Sequence, residues 1–407
     1  MRRSEKLETG AARKRLPQAR EDGSYNFKTE REKQTMSTET RPYVSWELMD
    51  AFLTDAFAGF GVPREDAKLC ADVLLESDRR GIESHGCNRF KPIYIDRIKA
   101  GILNPVTKID ILKEGPTTAV LDGNDGMGMV VSHKAMEMAI AKAKQYGLGM
   151  VAVRNSSHYG IAGYWASMAT NAGMIGITGT NARPSIAPTF GVENMLGTNP
   201  LTVGFPTDEE FPFMLDCATS ISQRGKIEYY ARSGKDTPAG MVIGRDGSAM
   251  TDSPAILRGL TDGTAALAPL GGIGEELAGY KGYGYATVIE VLSAALQAGS
   301  FLKSLTNVDE KGNKKPYHLG HFFLVIDPEA FLGLDSFKKT CGDILRALRA
   351  SEKAPGHDRI YTAGEKEHLV WLERRDKGVP VGDAVQKEIL AVRDELKLPY
   401  TFPFESK

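Results

Sequence analysis

Two histidines and an arginine carry the first chemical signal in this chain of 407 residues. His85 lies in the turn Gly81-Ile-Glu-Ser84-His85-Gly86, and Arg89 follows four residues later, so the two side chains can converge on one small ligand. An imidazole exchanges a proton near neutral pH, whereas a guanidinium clamps a carboxylate through two parallel hydrogen bonds. Together they suit a 2-oxo or 2-hydroxy acid. His158 closes a second polar turn, Asn155-Ser-Ser-His158, which interrupts an apolar run at the point where a βα unit exposes its loop to a ligand. Taken alone, a loop histidine or a helical arginine is more often structural, so these residues need support from the rest of the chain. His318 and His321 have the spacing HxxH, but no Glu follows in helical register and residues 322–326 read as a strand. Structural roles, and no metal, are expected there.

The elements that must position these groups follow from periodicity. Residues 151–206 read as a strand, the polar turn, a helix over 161–171 closed by Ala172-Gly173, a strand, two loops built from Gly, Pro, Asn and Thr, and a further strand. Upstream, Ser45 is the expected N-cap of a helix carrying Leu48, Phe52 and Ala56, and a second helix starts after Pro63. A third helix is expected to carry Arg89, Tyr94 and Ile98 before Gly101. A strand at 118–121 leads into Asp122-Gly-Asn-Asp-Gly-Met-Gly128 and a helix expected from about Ser132 to Tyr146. Gly126-x-Gly128 lacks a third small residue, and Gly147-x-Gly149-x-x-Ala152 follows a helix and enters a strand, so neither is a Rossmann signature. The strand at 213–217 should run into a helix capped by Thr219 or Ser220, whose free N–H groups could receive an anion. Residues 233–279 read as a long surface excursion, followed by an apolar helix from Tyr285 to Leu296 with Lys281 at its entrance. An amphipathic helix over 331–349, a loop over 359–365 and a final helix over 384–396, capped by Asp383, complete the chain.

Composition bounds the function. The 42% hydrophobic and 25% charged content describes a globular protein, and 407 residues allow two or three domains. A net charge of -1 gives no footprint for nucleic acid, and no apolar run approaches the roughly 20 residues that span a bilayer. Cys70, Cys87, Cys217 and Cys341 form no CxxC pair, which fits reduced thiols and a cytoplasmic location. The first 35 residues hold ten Lys or Arg and six Asp or Glu with little apolar periodicity. Residues 1–42 are therefore expected to be a flexible extension.

Several motifs, collinear from about Tyr43 to the C-terminus, carry a resemblance: Arg80-Gly-Ile-Glu-Ser-His85-Gly-Cys-Asn-Arg89, Asp122-Gly-Asn-Asp-Gly-Met-Gly128, Val153-Arg-Asn-Ser-Ser-His158-Tyr-Gly, Leu196-Gly-Thr-Asn-Pro200, Leu215-Asp-Cys-Ala-Thr219, Lys281-Gly-Tyr-Gly284 and Gly364-Glu365. This set resembles the type 2 malate/L-lactate dehydrogenase family, which includes ureidoglycolate dehydrogenase, 2,3-diketogulonate reductase, sulfolactate dehydrogenase and a piperideine carboxylate reductase. The resemblance implies an α/β, non-Rossmann mixed-sheet fold with N- and C-terminal helical segments packed together, usually as an intertwined homodimer. It implies an N-terminal helical substrate-side region at 43–115, a cofactor-binding domain at 116–326 and a C-terminal helical segment at 327–407.

The implied activity is hydride transfer between NAD or NADP and a small 2-hydroxy or 2-oxo carboxylic acid such as malate or lactate. His85 would be the acid/base, Arg89 and Ser84 would hold the substrate, and His158 would lie nearby as a second acid/base. Asp216, Cys217, Ala218, Lys281, Gly282, Gly364 and Glu365 would contact the cofactor, with Thr180 and Asn181 lining the same cleft. Two readings stand beside this one: reduction of a cyclic imino acid, and a homologue that binds ligand without turnover. The sequence departs from the family where residues 273–280 lengthen the link to Lys281, where 234–263 lack the usual aromatic run, and where Ala182 replaces a hydroxyl residue.

Overall fold

Tyr43–Val44 opens the ordered chain as a two-residue strand, β1, in a computed structural model that describes residues 41–405. The expected extension lies outside the described residues as far as Thr40. Ser45 caps α1 (Trp46–Gly59) as read, its hydroxyl accepting the Leu48 N–H at 3.2 Å, and α2 (Arg64–Arg79) follows Pro63. The third expected helix does not form as one element. Pro92 has no N–H and its ring crowds the preceding turn, and the segment widens into a π-helix at Phe90–Ile95 before α3 (Asp96–Lys99).

Next come β2 (Asp110–Glu114), which the periodicity did not reveal, and β3 (Thr118–Asp122). The helix α4 (Gly128–Tyr146) starts four residues earlier than expected, because Gly128 is a close-approach residue rather than part of a loop. Then follow β4 (Leu148–Ser156), α5 (Ala162–Asn171), β5 (Ile175–Thr180), β6 (Leu201–Phe205) and β7 (Phe213–Cys217). The expected cap at Thr219 or Ser220 is corrected. The helix α6 (Arg224–Arg232) starts later, and the Thr219 hydroxyl instead lies 3.1 Å from the Thr198 carbonyl and 3.0 Å from that of Asn199.

The supposed excursion contains β8 (Val242–Gly244), α7 (Ser253–Asp262) and β9 (Ala265–Leu267), whose short spans hid their period. The helix α8 (Gly279–Ala294) begins six residues before the expected start, which places Lys281 inside its first turn. Then come β10 (Leu319–Ile326), α9 (Leu334–Ala350), α10 (Glu365–Arg374), β11 (Val379–Pro380) and α11 (Asp383–Leu396). Gly382, not Asp383, precedes that last helix, and Gln386 donates back to the Val381 carbonyl at 2.9 Å.

Seven strands form one mixed sheet in the order β2-β3-β4-β10-β5-β6-β7, in which β3 and β4 alone run parallel. The central strands β4 and β10 are buried on both faces, consistent with their near-continuous apolar runs. The N- and C-terminal helices share a core, as expected: Phe52 packs edge-on against Phe402 at 5.2 Å, and β1 pairs antiparallel with β11. A second core of Ile186, Leu196, Ile227, Val242, Ile256 and Leu267 lies beneath β8 and β9. Arg41–Ala350 with Tyr361–Lys407 form one compact unit, and Ser351–Ile360, which carries only turns and bends, groups separately. No helix among the described residues is long and apolar enough to cross a membrane.

Candidate active site

A cavity of about 530 Å³ opens where the α2–α3 connection meets the ends of β4 and β7 and the turn before α10. Ser84 and His85 stand at one side, residues 159–162 and 214–216 form the walls, and residues 361–364 close the far end. That volume lies in the range of small-molecule and cofactor sites.

The turn bearing His85 is held from below. Asp78 is buried at the end of α2, and its carboxylate accepts the Cys87 N–H at 2.8 Å. Burial raises the Asp78 carboxyl to about 7, although the Cys87 hydrogen bond pulls the other way. Arg374, from α10, donates to the Asp78 carbonyl at 2.6 Å and pairs with Glu83 at 2.5 Å, so the C-terminal helices fix the turn at both ends.

His85 Nδ1 lies 2.9 Å from the Ser84 hydroxyl, and Nε2 has no hydrogen bond among the described residues. Burial, and then the Arg89 charge, lower the His85 imidazole to about 4. The ring is therefore neutral at neutral pH. Arg89 is tied back by its Nε to the Ser84 carbonyl at 2.6 Å, and neither terminal nitrogen of its fork is hydrogen-bonded among the described residues. His158 stacks on His85, with ring centroids 5.7 Å apart and planes 17° off parallel. Burial, followed by the neighbouring His85, Arg97 and Arg89, holds His158 well below the usual imidazole range.

Of the residues expected from sequence, Ser84, His85, Asp216, Ala218 and Gly364 line the cavity. His158 and Arg89 adjoin His85 without lining it. Asp216 accepts the Thr202 hydroxyl at 2.9 Å and the Gly163 N–H, at the start of α5, at 2.7 Å. Burial raises its carboxyl, the two hydrogen bonds notwithstanding. Strand alternation turns Cys217 to the other face, where it is exposed. Glu365 is buried beneath the cavity and accepts the Thr362 N–H at 3.0 Å. Thr180 and Asn181 tie β5 to β10: the Thr180 hydroxyl lies 2.8 Å from His321 Nδ1, and Asn181 receives the Gly320 N–H at 2.8 Å. Lys281 is exposed on α8 with its Nζ 5.9 Å from the Tyr280 ring, and Gly282 packs on the Leu270 carbonyl.

Sequence reasoning missed two aromatic groups. Tyr159 lines the cavity and stacks on buried His321 at 4.6 Å, and Tyr94 reaches His158 from the π-helix. The His-Tyr-Gly run signalled the first, whereas the second needed knowledge of the π-turn. His321 and His318 are each hydrogen-bonded within the fold. His318 pairs with Asp125 at 2.8 Å, and no metal-ligand cluster occurs among the described residues.

The walls fit a nucleotide. Gly364 sits at φ 90°, and a Cβ there would come within 3.0 Å of the Met214 nitrogen and the Pro212 carbonyl, so glycine lets this end of the cavity pack closely on β7. The buried hydroxyls of Ser220 and Ser222, close in sequence to Ala218 and Gln223 of the wall, have no hydrogen-bond partner among the described residues.

Comparison with known proteins bears on the family and the fold. The family model described as malate/L-lactate dehydrogenase matches residues 44–390. The chain is 44% identical over 339 residues to the malate dehydrogenase of Pyrococcus horikoshii, covering 83% of this chain and 91% of that one. It is 40% identical over 348 residues to the L-sulfolactate dehydrogenase of Methanocaldococcus jannaschii, covering 85% and 95%. The crystal structure of malate dehydrogenase from Entamoeba histolytica superposes with a TM-score of 0.85 at 44% identity, covering 89% of this chain and all 100% of that one.

Proposed function

The chain belongs to the malate/L-lactate dehydrogenase family and is an oxidoreductase acting on the CH–OH group of a hydroxy acid with a nicotinamide cofactor; on that premise, we propose that the cavity beside His85 is where NAD or NADP meets a small 2-hydroxy or 2-oxo acid such as malate or lactate. One observation carries this reading. His85 stands at the cavity with Nδ1 held by Ser84 and Nε2 free to meet a substrate oxygen.

A bound nicotinamide supplies or accepts the hydride. In oxidation, neutral His85 takes the alcohol proton at Nε2, and in reduction its protonated form gives a proton to the substrate oxygen. Nδ1 carries a proton in both of these states, so the Ser84 hydroxyl accepts from it throughout. Arg89 binds the carboxylate with the fork left over from its bond to Ser84. Asp216, Ala218 and Gly364 hold the cofactor from the cavity walls, Cys217 through its backbone, and Lys281 with Gly282 from α8. Glu365, Thr180 and Asn181 support that wall from behind. Residues 43–115 then supply the substrate side, and 116–326 the cofactor side. A homodimer in the cytoplasm completes the reading. It is supported by the apolar Tyr285, Val288, Val291 and Phe301 exposed on and beyond α8, and by four free cysteines.

Following NADH and NADPH absorbance against 2-oxo acids whose third carbon is a methyl group, or carries a carboxylate or a sulfonate, tests this reading. Oxidation with at least one of them is expected, and saturable binding without oxidation of any would refute it. Arg89→Ala is expected to raise KM for the acid by roughly ten- to a hundredfold with little change in kcat, the scale of a lost charge-assisted hydrogen bond. An unchanged KM would remove Arg89 from the carboxylate clamp.

The pH profile follows from the depressed His85 imidazole. Since the base stays neutral down to about 4, kcat/KM for hydroxy acid oxidation should remain level below neutral pH and fall only as that value is approached. For reduction the protonated form is the acid, so kcat/KM should climb as pH falls through the same range. An acid limb near the ordinary imidazole value, about 6.5, would contradict the burial argument.

A further inference from the structure

We infer that Tyr94 fixes His158 as the tautomer protonated on Nε2, which makes His158 a hydrogen-bond donor to the substrate and leaves proton exchange to His85 alone. The inference rests on the proposed function for what the donor meets, but the tautomer itself stands on geometry. His158 Nδ1 has two neighbours: the Gly160 backbone N–H at 3.3 Å and the Tyr94 hydroxyl at 2.7 Å. A backbone N–H can only donate, and this one is shared between Nδ1 and the Tyr94 oxygen, an arrangement in which the hydroxyl proton points to Nδ1 and Nδ1 accepts. In a neutral imidazole the single proton therefore sits on Nε2, which has no hydrogen bond among the described residues.

The surroundings oppose a second proton. Tyr94 is fully buried and keeps its own, because burial pushes its hydroxyl well above the usual phenol range. The charged and titratable groups around the ring are His85 and Arg89 from the catalytic turn, Arg97 from α3 and His321 from β10, and none of them is an acid. The contrast with His85 is one of partner chemistry. Its Nδ1 faces a serine hydroxyl that can reverse its role, so that ring can carry its proton on either nitrogen. Of two stacked imidazoles, one is free to exchange and the other is set.

Tyr94 acquires this role from the π-turn at Phe90–Ile95, which brings its hydroxyl beneath His158 while Phe57 packs on its ring at 5.9 Å. It touches neither the cavity nor a reacting atom and is a positioning residue.

The test is two-bond ¹H–¹⁵N spectroscopy of the full chain labelled in histidine, recorded without substrate across the neutral range, with His158→Gln identifying the signal. An unprotonated Nδ1 and protonated Nε2 that do not titrate are expected, and in Tyr94→Phe a mixture of tautomers is expected instead. A protonated Nδ1 in the parent, or the same pure tautomer in Tyr94→Phe, would overturn the inference. Kinetics give an independent arm. His158→Gln keeps an N–H donor in altered geometry and should raise KM for the acid and lower kcat, the latter by no more than about tenfold, the scale of one altered hydrogen bond. Loss of an acid/base costs roughly 10²–10⁴-fold, and a loss of that size in His158→Gln would make His158 a proton-transfer group and sink the inference. The spectra need no turnover, so a set tautomer in a protein inactive on every acid would refute the proposed function and leave this inference standing.

Discussion

His85→Ala is expected to lower kcat for the preferred acid by roughly 10²–10⁴-fold, the range spanned by general acid–base catalysis. The size of the loss follows from the absence of a substitute. His158 stacks 5.7 Å away, but its Nδ1 already accepts from Tyr94 and Gly160. Ser84 lacks a basic nitrogen and serves only as the partner of the lost ring. Cofactor affinity should barely move, because the walls that would hold the dinucleotide come from residues 159–162, 214–218 and 361–364, which the substitution leaves intact. Kd for NADH and NADPH by fluorescence titration, measured beside kcat, separates the two effects. A variant that turns over at the parent rate would exclude His85 as the acid/base, and one that loses cofactor binding in proportion would mean that the ring supports the cleft instead.

Gly128→Ala should be the most damaging change outside the cavity. A Cβ at this position would come within 2.2 Å of the Ser157 carbonyl and 2.6 Å of the His158 carbonyl, so backbone must move. The Gly128 N–H also donates to the Ser157 hydroxyl at 2.8 Å, and that hydroxyl donates in turn to the Gly126 carbonyl at 2.8 Å. Overpacking of this kind costs roughly 1–3 kcal/mol, and here the displaced turn carries His158. Stability in denaturant and kcat/KM should fall together. Gly225→Ala is the control: it lies in the first turn of α6 with nothing within 4 Å of a Cβ, and it should be neutral or stabilising by about 0.5–1 kcal/mol. Equal behaviour of the two variants would mean that the turn tolerates displacement.

The glycine at 128 also shows what the sequence can and cannot disclose. Its motif is legible in the sequence, and in the structure it brings α4 against the turn after β4 and does not line the cavity. Its helical state was not legible, because a close approach between backbones leaves no mark on periodicity. Long elements with strong pattern or caps, such as α1 behind Ser45 and the buried β4, were readable. The short elements β8, α7 and β9 were not, as each spans too few residues to establish a period.

The same distinction holds at the site. His85, Ser84, Asp216 and Gly364 converge as their motifs suggest. Lys281 is expected at a helix entrance but lies inside the first turn, because Gly279 and Gly282 let that turn pack closely on the backbone of residues 270–274. Spacing places Tyr94 on a third helix with Arg89 and Ile98. The π-turn that gives its hydroxyl a purpose arises from Pro92, whose effect on the hydrogen-bond ladder is local and whose direction cannot be read from spacing alone.

The most direct measurement is a crystal structure of the protein with NADH or NADPH and oxalate, an unreactive mimic of the 2-oxo acid. The account predicts oxalate in the cavity at residues 84–85 with one oxygen within hydrogen-bond distance of His85 Nε2, its other carboxylate on the Arg89 fork, and the nicotinamide on the side of Asp216. Oxalate and nicotinamide bound together away from His85, with that ring facing only protein, would contradict it.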